Sequence, residues 1–210
     1  MKIGIDIMGG DFAPKNTVYG SILAKNELPN DCLIVLFGKE SDILSELKKH
    51  NLSADQFEII DCTDVIEMGE HPTKAFKSKP NSSIAKGFSY LAEGKIDGFA
   101  SAGNTGAMFV GGYYAVKAIG GILRPAISTL IPREDGGVTV LLDVGANADC
   151  KADVLYQFGV LGSLFSEHVC GIKNPKVSLL NLGEEKTKGN MLTQATYMMM
   201  EDNMDYNFVG

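Results

Sequence analysis

Arginine is scarce in this 210-residue chain: only Arg124 and Arg133 occur. That is thin provision for an enzyme that grips a dicarboxylate through bidentate pairs. The three histidines, His50, His71 and His168, are dispersed. Four cysteines, Cys32, Cys62, Cys150 and Cys170, stand far apart, with no C-x-x-C and no Cys–His pairing at zinc-ligand spacing. Reduced, mostly buried thiols, a cytosolic address and no metal site are therefore expected. The chain has no G-x-G-x-x-G, no G-x-x-x-x-G-K-[ST] and no G-x-S-x-G, which removes the dinucleotide fingerprint, the P-loop and the serine elbow from consideration. No run of eighteen apolar residues occurs, and the opening Met-Lys-Ile-Gly-Ile-Asp is too short an apolar stretch for a signal peptide, so no membrane-spanning segment is expected. Nineteen basic against 26 acidic residues give a net charge of −7, and this argues against a nucleic-acid binder.

What the chain does have is glycine, 24 residues, gathered where apolar segments end. Short β-branched runs alternate with helical patterns. Strands are expected over 2–7, 32–37, 57–61, 98–101, 126–131, 138–144, 177–182 and 206–209, and helices around 14–26, 39–49, 82–93, 105–118, 152–170 and 189–201. The alternation predicts an α/β fold with a mostly parallel sheet covered by helices on both faces. The runs at 126–131 and 138–144, joined by Pro-Arg-Glu-Asp-Gly-Gly, instead read as an antiparallel hairpin.

Several strands run into a glycine-containing polar turn that opens a helix: Asp6-Ile-Met-Gly-Gly-Asp11, Ser101-Ala-Gly-Asn-Thr-Gly106, Asp143-Val-Gly-Ala-Asn147 and Asn181-Leu-Gly-Glu-Glu185. In an open α/β sheet such turns lie at the carboxyl ends of strands, where ligands bind, and one crevice can collect them. Helix amino termini present unpaired N–H groups and a partial positive charge, which makes them anion sites. Asn104, Thr105, Asn147 and Asn190 are each either an anion donor or an ordinary cap. Asp6 and Asp143 either orient neighbouring donors or tie down turn N–H groups. Glu184 and Glu185 compete with a reading as a solvated loop face. Between His71 and Ala92, Lys74, Lys77, Lys79 and Lys86 occur with no acidic residue; this is either a solvated helix face or a dock for an acidic partner. Met198-Met199-Met200 reads as core or interface filling.

Taken together, residues 6–14 (Asp-Ile-Met-Gly-Gly-Asp-Phe-Ala-Pro), Asp64-Val-Ile-Glu-Met68, Ser101-Ala-Gly-Asn-Thr-Gly-Ala107, Asp143-Val-Gly-Ala-Asn-Ala-Asp-Cys-Lys151, Asn181-Leu-Gly-Glu-Glu185 and Gly189-Asn190 closely resemble the PlsX family of bacterial phosphate acyltransferases. The resemblance runs in order from the first residue to the last. It departs from the family pattern at Gly69-Glu70, Met191 and Gln194. It implies a three-layer α/β/α sandwich like that of the isocitrate and isopropylmalate dehydrogenases, working as a cytoplasmic homodimer with peripheral membrane association. The implied reaction moves a fatty acyl group from acyl carrier protein to inorganic phosphate without a cofactor, and the acyl phosphate passes to a membrane-bound glycerol-3-phosphate acyltransferase. On that reading Gly9, Gly10, Asp11, Gly103, Thr105 and Gly106 cradle phosphate, and Asn104 donates side-chain hydrogen bonds. Asn147 and Asn181 serve the thioester oxygen or a second rim of the anion site, with Glu184 and Asn190 beside it. Lys151 neutralises charge, while Asp6 and Asp143 orient donors.

Two neighbouring readings are a phosphotransacetylase-like enzyme using acyl-CoA and an anion-binding module without turnover. Because residues 206–210 read as a strand reaching its glycine turn, and PlsX chains are longer, residues 1–210 are expected to be an amino-terminal portion of the catalytic domain.

Overall fold

The computed structural model describes residues 1–210 as two compact units, Met1–Ala118 and Ile119–Gly210. In the first, four strands, β1 (Lys2–Asp6), β2 (Leu33–Gly38), β3 (Glu58–Asp61) and β4 (Gly98–Ala100), form one sheet in the order β3-β2-β1-β4. All three pairings are parallel, with Ile5 opposite Leu36 on one side and Ala100 on the other. Helices α1 (Lys15–Glu27) and α2 (Glu40–Lys49) carry the chain between β1, β2 and β3; α3 (Pro72–Ser78) and α4 (Ser83–Ala92) carry it back to β4, and α5 (Thr105–Ala115) follows.

The run Ile-Val-Leu-Phe-Gly (34–38) of β2 is buried on both faces, as a central parallel strand requires, and only Leu33 at its start is exposed. Ile34 and Leu36 join Val18 of α1 and Ile43 and Leu47 of α2 in one cluster. Val35 and Phe37 join Cys62 and Ile96 in another, packed against Tyr90 and Leu91 of α4. Right-handed crossovers that run one way along the sheet, from β1 to β2 to β3, and the other way, from β3 to β4, put their helices on opposite faces, and the unit is a three-layer α/β/α sandwich. Burial pushes the Cys62 thiol up to about 12, reinforced by Asp61 and Asp6 and opposed by Lys86. All four cysteines are free, but only Cys62 is buried; the other three are half-buried, fewer than composition suggested.

The second unit holds the expected hairpin, β5 (Ser128–Pro132) antiparallel to β6 (Val138–Leu142), then α6 (Ala152–His168), β7 (Lys176–Val177), α7 (Met191–Glu201) and β8 (Asn207–Phe208), which pairs parallel to β7. Its core is small: Val154, Phe158 and Met200 are the buried apolar side chains. Tyr206 lies on Gly159 of α6, where any Cβ would come within 2.7 Å of its ring.

Two expectations change. The run 177–182 forms ladder pairs only at its start, because β8 offers two residues to pair with; Leu180 and Leu182 beyond it stand exposed. Helix α3, seven residues long with Pro72 in its first turn, was not expected from the pattern. It buries chiefly Ala75 and Phe76, too few apolar positions to show a helical period.

Candidate functional site

Strand order reverses at β1: the chain moves outward to β2 and β3, then returns to β4 on the other side. The segment after β1 enters α1 on one face and the segment after β4 enters α5 on the other, so a crevice opens between the carboxyl ends of β1 and β4. Two of the four glycine turns meet there. A Cβ on Gly9 would lie 2.6 Å from the Gly103 backbone nitrogen and 2.5 Å from Asp6 Oδ2, and one on Gly103 would lie 3.1 Å from Gly9 Cα. Only glycine permits this approach of backbone to backbone.

Asp6, buried at the end of β1, ties the turns together. Ser101 donates its hydroxyl to Asp6 Oδ2 at 2.6 Å and accepts the Gly103 N–H at 2.9 Å, while the Met8 N–H donates to Asp6 Oδ1 at 3.0 Å. Thr17, in the first turn of α1, donates to the Ile7 carbonyl at 2.6 Å and holds that helix against the exit of β1. The N–H groups of Gly10 and Asp11 donate to no protein acceptor, and those of Thr105 and Gly106, in the first turn of α5, have no intrahelical partner.

Asn104, buried, is the cap of α5: its Oδ1 accepts the Ala107 N–H at 2.9 Å. Its amide donates to the carbonyls of Glu67, Met68 and Glu70 at 3.0, 3.2 and 3.1 Å. The side chain thus clamps the 67–70 loop over the start of α5. Gly106 adds to this closeness, since a Cβ there would sit 2.3 Å from Pro72 Cγ.

In the second unit, Asp143 follows β6 and gathers the turn around itself. It accepts from the N–H groups of Ile127 (2.9 Å), Ala146 (3.1 Å) and Asn147 (2.7 Å) and from the Asn147 amide (2.9 Å). Burial works against its charged form, but these four bonds prevail and hold the carboxyl below its ordinary range. The Asn147 amide also donates to the Pro125 carbonyl at 2.9 Å. Lys151, the residue that opens α6, is exposed and forms no ion pair. Elsewhere in this unit Asn181 donates to the Lys188 carbonyl at 3.2 Å and lies against Gly189, whose φ of +85° excludes a side chain there. Asn190 caps α7, accepting the Thr193 N–H at 3.0 Å. Asn181, Glu184, Leu179, Tyr197 and Val209 line a cavity of about 610 Å³.

The structure therefore brings Asp6, Gly9, Gly10 and Gly103 together at the carboxyl ends of β1 and β4, with Asp11 and Thr105–Gly106 next to them in the chain, Asp143 and Asn147 into one knot, and Asn181 and Asn190 into one loop. Ser101 lies within a turn read from the sequence but carries no role in that reading; the structure shows it bracing Asp6 against Gly103, and shows the 67–70 loop as the receiver of the Asn104 amide. Ser101 had a signal, standing at a strand end two residues before a glycine. Of the four lysines between 71 and 92, two turn inward: Lys79 donates to the Val65 carbonyl and pairs with Glu70 at 2.6 Å, and Lys86 donates to the Asp61 carbonyl. The patch is narrower than its sequence suggests. No group of His, Cys, Asp and Glu side chains is arranged to hold a metal ion.

The model of a family described as "Fatty acid synthesis protein" matches residues 1–210. Over its whole length the chain is 46% identical to a phosphate acyltransferase of Dictyoglomus thermophilum and 43% identical to one of Halothermothrix orenii, covering 62% and 63% of them. It thus spans somewhat under two thirds of the length of the curated relatives it matches. Among solved structures, a phosphotransacetylase from Streptococcus pyogenes superposes on the whole chain with a TM-score of 0.69 at 19% identity, and the EutD phosphotransacetylase from Staphylococcus aureus with 0.64 at 17%. The chain covers 67% and 68% of these. These likenesses concern the fold.

Proposed function

The chain belongs to the fatty acid synthesis protein family, PlsX, and from that premise we propose that the crevice between β1 and β4 seats inorganic phosphate as the acceptor of a fatty acyl group from acyl carrier protein. A phosphate oxygen attacks the thioester carbonyl carbon, the C–S bond breaks, the carrier leaves as thiolate, and acyl phosphate is the product. Phosphate is itself the nucleophile and a thiolate leaves readily, so no protein nucleophile is needed. The task is to hold an anion beside a thioester, and orientation of two bound reactants can lower a barrier by roughly 7 to 11 kcal/mol in the best cases.

The observation that carries the reading is the contact of Gly9 with Gly103 above buried Asp6. Around this contact the N–H groups of Gly10, Asp11, Thr105 and Gly106 have no protein partners. Such donors suit a phosphate, and the Thr105 hydroxyl, on an exposed residue, adds another. Asn104 acts as a positioning residue, since its amide is engaged by three carbonyls. In the second unit Asp143 positions Asn147, and Lys151, free of ion pairs, supplies positive charge to an anionic substrate. Asn181 and Glu184, which line the 610 Å³ cavity, and Asn190, the cap of α7, are assigned to substrate contact.

On this reading the protein works as a cytoplasmic homodimer at the membrane surface and passes its product to a membrane-bound glycerol-3-phosphate acyltransferase. All five residues of β5 are exposed, Leu130 and Ile131 among them, which supports pairing with a second copy. No helix is long and apolar enough to cross a membrane.

The test supplies acyl carrier thioester with and without phosphate and traps acyl phosphate as hydroxamate. The expected result is hydroxamate that requires phosphate, formed faster from the carrier thioester than from acyl-CoA. Preference for acyl-CoA would replace this reading with a phosphotransacetylase-like one. Phosphate binding without turnover would leave a binding module.

A further inference from the structure

Charge is unevenly placed along the first unit. Residues 1–70 carry six lysines against thirteen acids; residues 71–118 carry six lysines against two, Glu93 and Asp97. Helices α3, α4 and α5 hold no acidic residue. On a chain of net charge −7 this reverses sign over the face that α3 and α5 share.

Two lysines remain directed outward on that face once Lys79 and Lys86 are accounted for: Lys74 and Lys77, both exposed and neither in an ion pair. The Lys77 ammonium lies 5.8 Å from the Tyr114 ring centroid, and Tyr114 stands edge to face with Tyr113 at 5.7 Å. Both tyrosines of α5 are about half exposed. Cation and aromatic surface together are what protein interfaces favour. The acids that come just before α3 in the chain are Glu67 and Glu70, and Glu70 is held by Lys79. The mount is rigid. Pro72 packs on Gly106 at the start of α5, and Phe76 and Phe88 fill the space beside Gly111 midway along it.

We propose that Lys74, Lys77, Tyr113 and Tyr114 form the docking face for an acidic protein surface and, on the acyl-transfer reading above, for that of the acyl carrier. Nine residues of helix separate Thr105 from Tyr114, roughly 14 Å at 1.5 Å each. A partner seated around Tyr114 must therefore deliver its thioester to the start of α5 on a tether of about that reach. This selects a carrier with a prosthetic arm over a small free thioester.

The experiment titrates labelled acidic acyl carrier protein into the chain by fluorescence anisotropy, at about 0.05 M and about 0.5 M salt. Wild-type affinity is expected to fall with salt. The Lys74→Glu/Lys77→Glu variant binds roughly tenfold more weakly at low salt, Lys74→Gln/Lys77→Gln falls between, and Lys48→Glu on α2 binds as wild type. Phosphate-dependent acyl phosphate formation from an untethered acyl-pantetheine thioester is measured in parallel and is unchanged by the α3 substitutions. Equal carrier affinity in the wild type and the Glu variant overturns the dock, as does absence of carrier binding, while the untethered reaction still stands. Loss of carrier binding in the variant, with no acyl phosphate from either donor in any chain, keeps the dock and removes the acyl-transfer reading.

Discussion

The two units arrange polar turns by different means. In residues 1–118 the turns rest on a four-stranded sheet whose central strand β2 is buried from Ile34 to Gly38, and their geometry is set by steric contact: Gly9 against Gly103, Gly106 against Pro72. In residues 119–210 the sheets have two strands each and few side chains are buried. There the 143–147 turn is held by one carboxylate that accepts four hydrogen bonds. A packed core fixes turns whose backbone N–H groups stay unpaired. A small core leaves that work to side chains, which consume the donors they organise.

The contrast breaks most directly at Gly9→Ala. The added methyl meets backbone and a buried carboxylate, neither able to yield, so a loss of about 3 kcal/mol and of detectable phosphate binding is expected, read by urea midpoint and calorimetry. Next is Asn104→Ala, which removes a cap worth about 1 kcal/mol and releases three loop carbonyls. Acyl phosphate formation should fall at least roughly tenfold together with the melting temperature. Asn104→Asp, which keeps the cap but turns a carboxylate toward the Glu67, Met68 and Glu70 carbonyls, should fail to restore activity.

In the second unit the break is electrostatic. Asp143 is held below its usual range, so its contribution is present above the unfolded carboxylate value near 3.8 and is lost as pH falls through the lower folded value. The Ala146 and Asn147 amide resonances should move together below about pH 4. Asp143→Asn, costing about 2 kcal/mol, should abolish that acid-dependent shift; its persistence in the variant would assign it elsewhere. The smallest effect has opposite sign. The Tyr206 hydroxyl is buried without a partner beside Gly159, so Tyr206→Phe should be neutral or stabilising by up to about 1 kcal/mol, and a clear loss in thermal unfolding would mean the hydroxyl is bonded.

Most strands and helices were legible because β-branched runs such as 33–38 and caps such as Asn104 and Asn190 are local signals. The crevice was half legible: the Gly9-Gly10 and Gly103 turns stood out, but the bond from Ser101 to Asp6 spans 95 residues, and no local pattern encodes it. Likewise Asn104 read as a donor to a ligand because its three carbonyl partners lie 34 to 37 residues back. The lysine run overstated its free charge for the same reason, with Lys79 and Lys86 bonded to the carbonyls of Val65 and Asp61. Helix α3 is not legible in the sequence because seven residues cannot display a period of 3.6.

The central claim is that phosphate sits at the β1–β4 crevice. Titration of the isotopically labelled chain with inorganic phosphate, followed residue by residue through backbone amide resonances, tests it most directly. The account predicts saturable shifts at Gly10, Asp11, Thr105 and Gly106 that vanish in Gly9→Ala. Shifts confined to residues 143–151 or 181–190, with the crevice amides unmoved, would contradict it.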